Sequence, residues 1–137
     1  MKKLNVRGLI FLISFLSIVE VVLIFLGVLP PVLSYSIENL IFAFIRFSII
    51  IYSGIIAKEW KGAVKNGVVV SFSGVIIICL ATLLSNFYLK IPVLGLKIPN
   101  IESLVLMLLV ILVQNILLGI ICAVLGYWAY KKLVGRN

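Results

Sequence analysis

Long apolar runs with almost no charge are the feature that most limits how this chain can fold. Hydrocarbon offers no partners to backbone amide and carbonyl groups, so a segment in lipid must satisfy them internally, as an α-helix does. About 20 residues at roughly 1.5 Å per residue cross a hydrocarbon core of about 30 Å. Four runs reach this length: residues 8–29, 38–57, 64–88 and 101–130. We therefore expect an all-α integral membrane protein, with residues 1–137 forming a single membrane domain.

The composition excludes a water-soluble fold. Apolar residues make up 64% of the sequence and charged residues only 12%, against about 45–50% and about 25% in soluble domains. A soluble globule built from this chain would expose apolar patches far larger than monomers tolerate. The expected partner is therefore the lipid bilayer, and the expected location is the cell membrane, as a multi-pass protein.

Basic residues cluster beside the apolar runs and give the chain a net charge of +8. Most of them form three clusters: Lys2, Lys3 and Arg7; Lys58, Lys61 and Lys65; and Lys131, Lys132 and Arg136. The intervening loops on the opposite side carry only Lys90 and Lys97. The positive-inside rule then predicts an antiparallel four-helix bundle with both chain ends in the cytoplasm, N-in and C-in. Because no basic face with interleaved aromatics lies outside the apolar runs, we expect no nucleic-acid partner.

Side chains that catalyse reactions or bind metals are scarce. The sequence has no His, and its four acidic residues are all Glu, which excludes Ser/His/Asp and Cys/His catalysis and imidazole metal ligation. Cys79 and Cys122 fall inside apolar runs, where a free thiol behaves as a small buried hydrophobe. We expect no enzymatic activity, no cofactor and no metal site.

Small residues recur at helical spacing in each run. In lipid, apolar surface gives helices little reason to associate, so their contacts are marked by small residues that let backbones approach closely. The glycines that we expect at helix contacts are Gly54, Gly67, Gly74, Gly119 and Gly126. Such stripes predict a compact bundle, and by themselves they indicate packing rather than function.

Two ionisable residues fall deep inside the apolar runs. Glu20 lies 13 residues after Arg7, and Arg46 lies 12 residues before Lys58. Both are thus about 18–20 Å from the cytoplasmic edge, at one level of the bilayer. Charged groups at this depth are costly and normally face inward, form pairs, and mark a pathway or a site.

The hypothesis that follows is an intramembrane polar site formed by Glu20, Arg46, Gln114 and Asn115. We expect Glu20 and Arg46 to form a buried ion pair, with a further hydrogen bond from Gln114 or Asn115 on the fourth helix. A static pair would fix the helix register. A functional site would serve protons or a small polar or cationic solute.

The loop between the third and fourth runs contains a short repeat. Leu-Lys-Ile-Pro occurs at 89–92 and again at 96–99, on either side of Gly95. Each copy is an apolar stub whose lysine can extend toward water. The loop is expected either to lie in the headgroup layer as a hairpin or to cover an outward-facing cavity.

A membrane-embedded glutamate in the first of four helices, here Glu20-Val21, resembles the small multidrug resistance exporters. The resemblance implies a carboxylate that exchanges protons for lipophilic cations. The present chain departs from that pattern in its greater length, its extended loop and Arg46, which competes for the carboxylate.

Two functional interpretations follow. The first is a non-enzymatic membrane protein that forms a homo-oligomer or serves as a subunit or assembly factor of a larger membrane complex. The second is a small transporter or channel-like protein that uses the Glu20/Arg46 site. A transporter needs a hydrated cavity at this layer, whereas a scaffold should be packed and dry there.

Overall fold

The computed structural model describes residues 5–34, 36–89, 91–95 and 97–134. Several residues that carried the sequence argument lie outside the described residues: Lys2, Lys3, Lys90, Leu96 and Arg136.

Four helices, each long and apolar enough to cross a membrane, make up most of the described chain. They are α1 (Val6–Phe25), α2 (Ile37–Ile55), α3 (Trp60–Leu84) and α4 (Ile101–Val134). A short 3-10 turn (Val32–Ser34) follows α1, and a π-helical turn (Ser85–Leu89) extends α3. The expectation of an all-α bundle with four long apolar helices is confirmed.

Polar side chains start the first two helices. The Oδ1 atom of Asn5 accepts a hydrogen bond from the amide of Gly8 at 2.9 Å. The Oγ atom of Ser36 accepts one from the amide of Asn39 at 3.2 Å. Each bond satisfies an amide that has no partner within its own helix. Helix α1 thus begins at Val6, ahead of the run that starts at residue 8, because a cap rather than hydropathy sets its start.

A glycine turn, rather than the following prolines, ends α1. Gly27 has a left-handed φ of 71°. Its amide donates to the carbonyl of Ile24, and the amide of Val28 donates to the carbonyl of Leu23, at 3.0 and 2.9 Å. These bonds form a Schellman motif, which satisfies carbonyls at the helix end. The helix therefore stops at Phe25, well before the apolar run ends.

Contacts between helix termini define the two ends of the bundle. At the end that we call the basic end, Val6 of α1 lies beside Ile55 of α2 and Tyr130 of α4 around one surface depression. At the opposite end, the loop end, the amide of Val32 donates to the carbonyl of Val93 at 2.9 Å. The connections α1–α2 and α3–α4 meet there.

Helices α2 and α4 cross closely near the basic end. A methyl group on Gly54 would lie 2.6 Å from the carbonyl carbon of Ala123, and one on Gly126 would lie 3.0 Å from the carbonyl carbon of Ile51. Only glycine permits backbones to approach this closely. The two glycines therefore fix the place where α2 and α4 touch.

Helix α3 uses three further glycine contacts. A methyl group on Gly67 would lie 2.6 Å from the carbonyl oxygen of Gly119, and one on Gly119 would lie 2.5 Å from the Cβ atom of Ser71. A methyl group on Gly74 would lie 3.0 Å from the side chain of Ile13 on α1. These contacts place α3 between α1 and α4, and 44% of its apolar stretch is buried against 17% for α4.

Two apolar clusters form the core, one toward each end. The cluster near the basic end consists of Leu9, Ile13, Ile49, Ile50, Val70 and Ala123. The larger cluster near the loop end consists of Val21, Ile24, Leu29, Val75, Ile78, Cys79, Val93, Leu94, Leu104 and Leu108. Between them lies a layer that contains two buried polar residues of α1, Ser17 and Glu20.

Candidate functional site

Glu20 is the buried acid of this layer. It lies on α1 with only 1% of its surface exposed, one turn after Ser17, which is completely buried. The close approach of α1 to α3 at Gly74 encloses this face of α1, since a methyl group on Gly74 would lie 3.4 Å from the Oγ atom of Ser17. That hydroxyl has no hydrogen-bond partner within the described residues.

Arg46 on α2 supplies the counter-charge. Its Nη2 atom donates a hydrogen bond to Oε2 of Glu20 and forms an ion pair with it. The exposed fraction of the Arg46 side chain is 17%, against 1% for Glu20. The guanidinium therefore lies between the sealed carboxylate and more open space. Its Nε–H is buried and has no partner among the described residues, although buried donors are normally paired.

The amides of α4 do not complete the pair in the way that the sequence analysis expected. Asn115 donates from Nδ2 to the carbonyl of Ile111, one turn earlier in its own helix, at 2.9 Å. Gln114 is exposed. Among the described residues, neither amide makes a hydrogen bond to Glu20 or Arg46.

A cavity of about 380 Å³ instead separates α4 from the ion pair. Its polar wall residues come from three helices: Arg46 from α2, Ser71 from α3, and Gln114 and Asn115 from α4. The rest of the wall is apolar or glycine, and Glu20 is not part of it. Arg46, Gln114 and Asn115 thus line one cavity. Glu20, the fourth residue of the polar-site hypothesis, lies behind Arg46.

The cavity opens along the α2–α4 face. Its wall residues Phe47, Gln114 and Leu118 are exposed, as is Leu33 at the loop end. Toward the basic end the opening stops where Gly54 meets Ala123. Helices α2 and α4 therefore touch near one end and diverge toward the other, and the divergence creates the cavity.

The α3–α4 loop packs into the bundle and forms part of the cavity wall. Val93 and Leu94 are 0% and 2% exposed, and Leu94 lines the cavity. The hydrogen bond from Val32 to Val93 and one from Asn86 Nδ2 to the carbonyl of Ile98, at 3.1 Å, hold the loop in place. Val93 and Leu94 therefore pack inside the bundle, and Leu94 contributes to the cavity wall.

Two residues of this region escaped the sequence analysis as site residues. Ser71 is one of the small residues of the third apolar run, which indicate packing rather than function, and Leu94 belongs to neither copy of the Leu-Lys-Ile-Pro repeat. For Leu94 the signal was present: an apolar pair, Val93-Leu94, precedes a glycine that takes a left-handed φ of 87°.

The wall offers one positive charge, from Arg46, and the amides of Gln114 and Asn115 with the hydroxyl of Ser71, which can donate or accept hydrogen bonds. The described residues contain no group of three His, Cys, Asp or Glu side chains that could hold a metal ion. Comparisons of the chain with protein-family models, with curated proteins and with solved structures find no match. The site therefore has to be interpreted from its own geometry.

Proposed function

We propose that this protein is a small multi-pass protein of the cell membrane that takes a solute into the cavity beside Arg46, and so acts as a transporter. One observation carries the proposal: a cavity of about 380 Å³ lies at the level of the ion pair, with Arg46, Gln114 and Asn115 on its wall. Volumes of about 300–1,000 Å³ are usual for small-molecule sites. The polar wall of this cavity beside the buried ion pair, rather than the cavity's volume, distinguishes it from the other depressions on the bundle surface.

A second candidate function has support from α4. Only 17% of its apolar stretch is buried, and side chains such as Leu106, Val110 and Leu117 are more than half exposed. This long apolar face is available to a second copy of the chain or to a larger membrane complex, as well as to lipid. Enzymatic catalysis is not part of either proposal, because the sequence has no His and no Asp.

The proposed orientation places the basic end in the cytoplasm. The described basic residues at that end are Arg7, Lys58, Lys61, Lys65, Lys131 and Lys132. The loop end carries Lys97. Short loops rich in Lys and Arg remain on the cytoplasmic side. Reporter domains fused to each chain end should both be active in the cytoplasm, and activity of the two on opposite sides would refute this orientation.

Water access to the cavity tests the transport proposal. Cys79 and Cys122 are first replaced by alanine, and a single cysteine is then introduced at Asn115 or at Val113. Asn115 lines the cavity, whereas Val113 lies two residues away on the same helix, 54% exposed on the outer surface of the bundle. Hydrophilic thiol reagents react with the thiolate, which forms in water and not in hydrocarbon.

In proteoliposomes we expect the cysteine at 115 to react with a hydrophilic methanethiosulfonate at least about tenfold faster than the cysteine at 113. The short distance between the two positions controls for bilayer depth. Equal and slow reaction at both positions would show a dry layer, and would leave the packing protein as the better interpretation.

A further inference from the structure

The cavity presents one charged group to a ligand, and that group is positive. Arg46 is on the wall, whereas its partner Glu20 lies behind it and is 1% exposed. A guanidinium carries five N–H donors in a plane, which match two oxygens of a carboxylate or phosphate. Among the described residues, the recorded partner of Glu20 is Nη2, and the Nε–H of Arg46 is buried with no partner. Because protein covers the Nε atom, an acceptor in the cavity would satisfy it only when Arg46 turns from Glu20 toward the ligand.

The remainder of the wall fits a hydrocarbon chain. Apart from Arg46, Ser71, Gln114 and Asn115, the wall is formed by apolar side chains and Gly74. The opening lies along α2 and α4, where Phe47 and Leu118 are exposed at positions that face the bilayer core. A ligand that enters here comes from the membrane. The wall therefore matches an amphiphile with a single polar group at one end.

Charge balance requires a proton to accompany an anionic ligand. The Glu20–Arg46 pair is neutral, so an added anion would leave one uncompensated negative charge in the membrane interior, which is costly. When Arg46 turns from Glu20 to the ligand, the carboxylate is uncovered toward the cavity and takes up one proton from water that enters there. Glu20 is then neutral, Arg46 pairs with the ligand, and the layer stays neutral in both states.

Glu20 is the group on which this proton would reside. Arg46 is the charged group that faces it from α2. The described charged residues of α3 and α4 are all near helix ends: Lys61, Lys65, Glu102, Lys131 and Lys132. The two thiols of these helices contact other parts of the bundle. The Sγ atom of Cys79 lies 3.9 Å from the carbonyl of Leu108 in the loop-end cluster, and Cys122 packs against the basic-end cluster.

We propose that the cavity binds a single-chain amphiphile with an oxyanion head group, which replaces Glu20 as the partner of Arg46 while Glu20 takes up one proton. This inference rests on the proposed function, because it needs an accessible cavity. It assigns the solute an anionic, amphiphilic class, in contrast to the protons or small polar or cationic solute of the sequence hypothesis. Carboxylate and phosphate head groups share the chemistry that Arg46 recognises.

Binding is measured on the full chain in nanodiscs of phosphatidylcholine, with empty nanodiscs as the blank for partitioning. The main probe is dodecanesulfonate, whose head group stays charged across the pH range. Dodecanol and dodecyltrimethylammonium carry the same chain with a neutral and a cationic head. We expect saturable binding of the sulfonate alone, and an affinity that rises by up to about tenfold for each unit by which the pH falls, as one-proton uptake requires. Dodecanoate and dodecyl phosphate then distinguish the two natural head groups.

Variants separate this mechanism from a structural role of the pair. Glu20→Gln imitates the protonated acid, so it should bind the sulfonate more tightly than the native chain at neutral pH and lose the pH dependence. Arg46→Gln should weaken binding by about 10- to 100-fold, which is the effect of losing a charge-assisted hydrogen bond. Arg46→Lys should recover part of it. The control is Glu38→Gln, an exposed acid in the first turn of α2, which should behave as the native chain does. If Glu20→Gln does not fold, the pH dependence of the native chain decides.

The possible results distinguish failure of this inference from failure of the proposed function. Saturable binding of dodecanol or the cationic probe, unaffected by Arg46→Gln, would overturn the anionic class while leaving a solute cavity. Sulfonate binding that is independent of pH would overturn the proton uptake. Absence of binding together with an unreactive cysteine at 115 would overturn both the inference and the proposed function.

Discussion

The crossing of α2 and α4 at Gly54 allows a prediction whose magnitude follows from the structure. A methyl group on Gly54 would lie 2.6 Å from the carbonyl carbon and 2.8 Å from the Cα atom of Ala123. Carbon atoms in contact prefer separations of about 3.5–4.0 Å, and the carbonyl oxygen of Ala123 lies closer still, so the helices would have to move apart by at least about 1 Å. The obstacle is backbone, and it cannot rotate away as a side chain could.

Overpacking of this kind typically costs about 1–3 kcal/mol, and sometimes more. Because both surfaces at this crossing are helix backbone, we expect Gly54→Ala to lower the free energy of unfolding by about 3 kcal/mol. The assay is equilibrium unfolding in mild detergent, followed by circular dichroism. Separation of the helices should also widen the cavity mouth and raise the reactivity of a cysteine at Asn115.

Gly62→Ala is the matched control. Gly62 lies in α3, and a methyl group there would meet only the Cβ atom of Ala57 at an ordinary 3.7 Å. Its stability should be unchanged or higher by up to about 1 kcal/mol, because alanine loses less backbone entropy than glycine on folding into a helix. If Gly54→Ala proved as stable as Gly62→Ala, α2 and α4 would not cross as described.

Three further predictions concern the ion pair and the turns. Glu20→Gln and Arg46→Gln should each lower the free energy of unfolding by about 3–5 kcal/mol, and the double variant should lower it by much less than the sum of the two. Thermal unfolding in detergent measures these losses, and additive losses would contradict the contact between Glu20 and Arg46. In the same assay, Asn39→Ala should lower the free energy of unfolding by about 1–3 kcal/mol, since the Nδ2 atom of Asn39 donates to the carbonyl of Pro31 at 2.7 Å across the α1–α2 turn. An unchanged stability would show that this hydrogen bond is dispensable. Gly27→Ala should cost about 1–2 kcal/mol through its left-handed φ of 71° alone, because no described residue lies within 4 Å of the added methyl group. Gly27→Asn should recover part of the loss, and equal stability of Gly27→Ala and the native chain would contradict the Schellman turn.

The existence of four apolar helices could be predicted from the sequence, because it follows from the length of the apolar runs and from the lack of hydrogen-bond partners for the backbone in lipid. Their ends could not, because local hydrogen bonds set them. Helix α1 ends at Phe25, where Gly27 turns the chain, and α3 begins at Trp60 within a polar stretch. In the interfacial layer water satisfies a backbone group as well as a helix does, so hydropathy does not mark these boundaries.

The depth of a residue in the membrane, counted in residues from the basic clusters, predicts some features of the site and not others. Glu20 and Arg46 can be assigned to one level by counting residues from the basic clusters, and the structure joins them. The expected bond from Gln114 or Asn115 depends instead on the distance of α4 from α2. That distance follows from where Gly54 touches Ala123 and how the helices diverge beyond it, and residue counting contains no such information. The cavity was unpredictable for the same reason.

The static interpretation of the ion pair has to explain why the bundle would need it. Replacing a buried ion pair by well-packed apolar residues is often neutral or even stabilising, so stability alone does not favour Glu20 and Arg46. Helix register is already fixed by close backbone contacts, at Gly54 between α2 and α4 and at Gly67 between α3 and α4, and by apolar clusters on both sides of the polar layer. A pair retained only for register would also be expected to have all its donors satisfied, whereas the buried Nε–H of Arg46 has no partner in the part of the chain that the structure describes. An incompletely satisfied guanidinium on the wall of a cavity fits the proposed ligand, toward which Arg46 would turn, better than a role in packing alone.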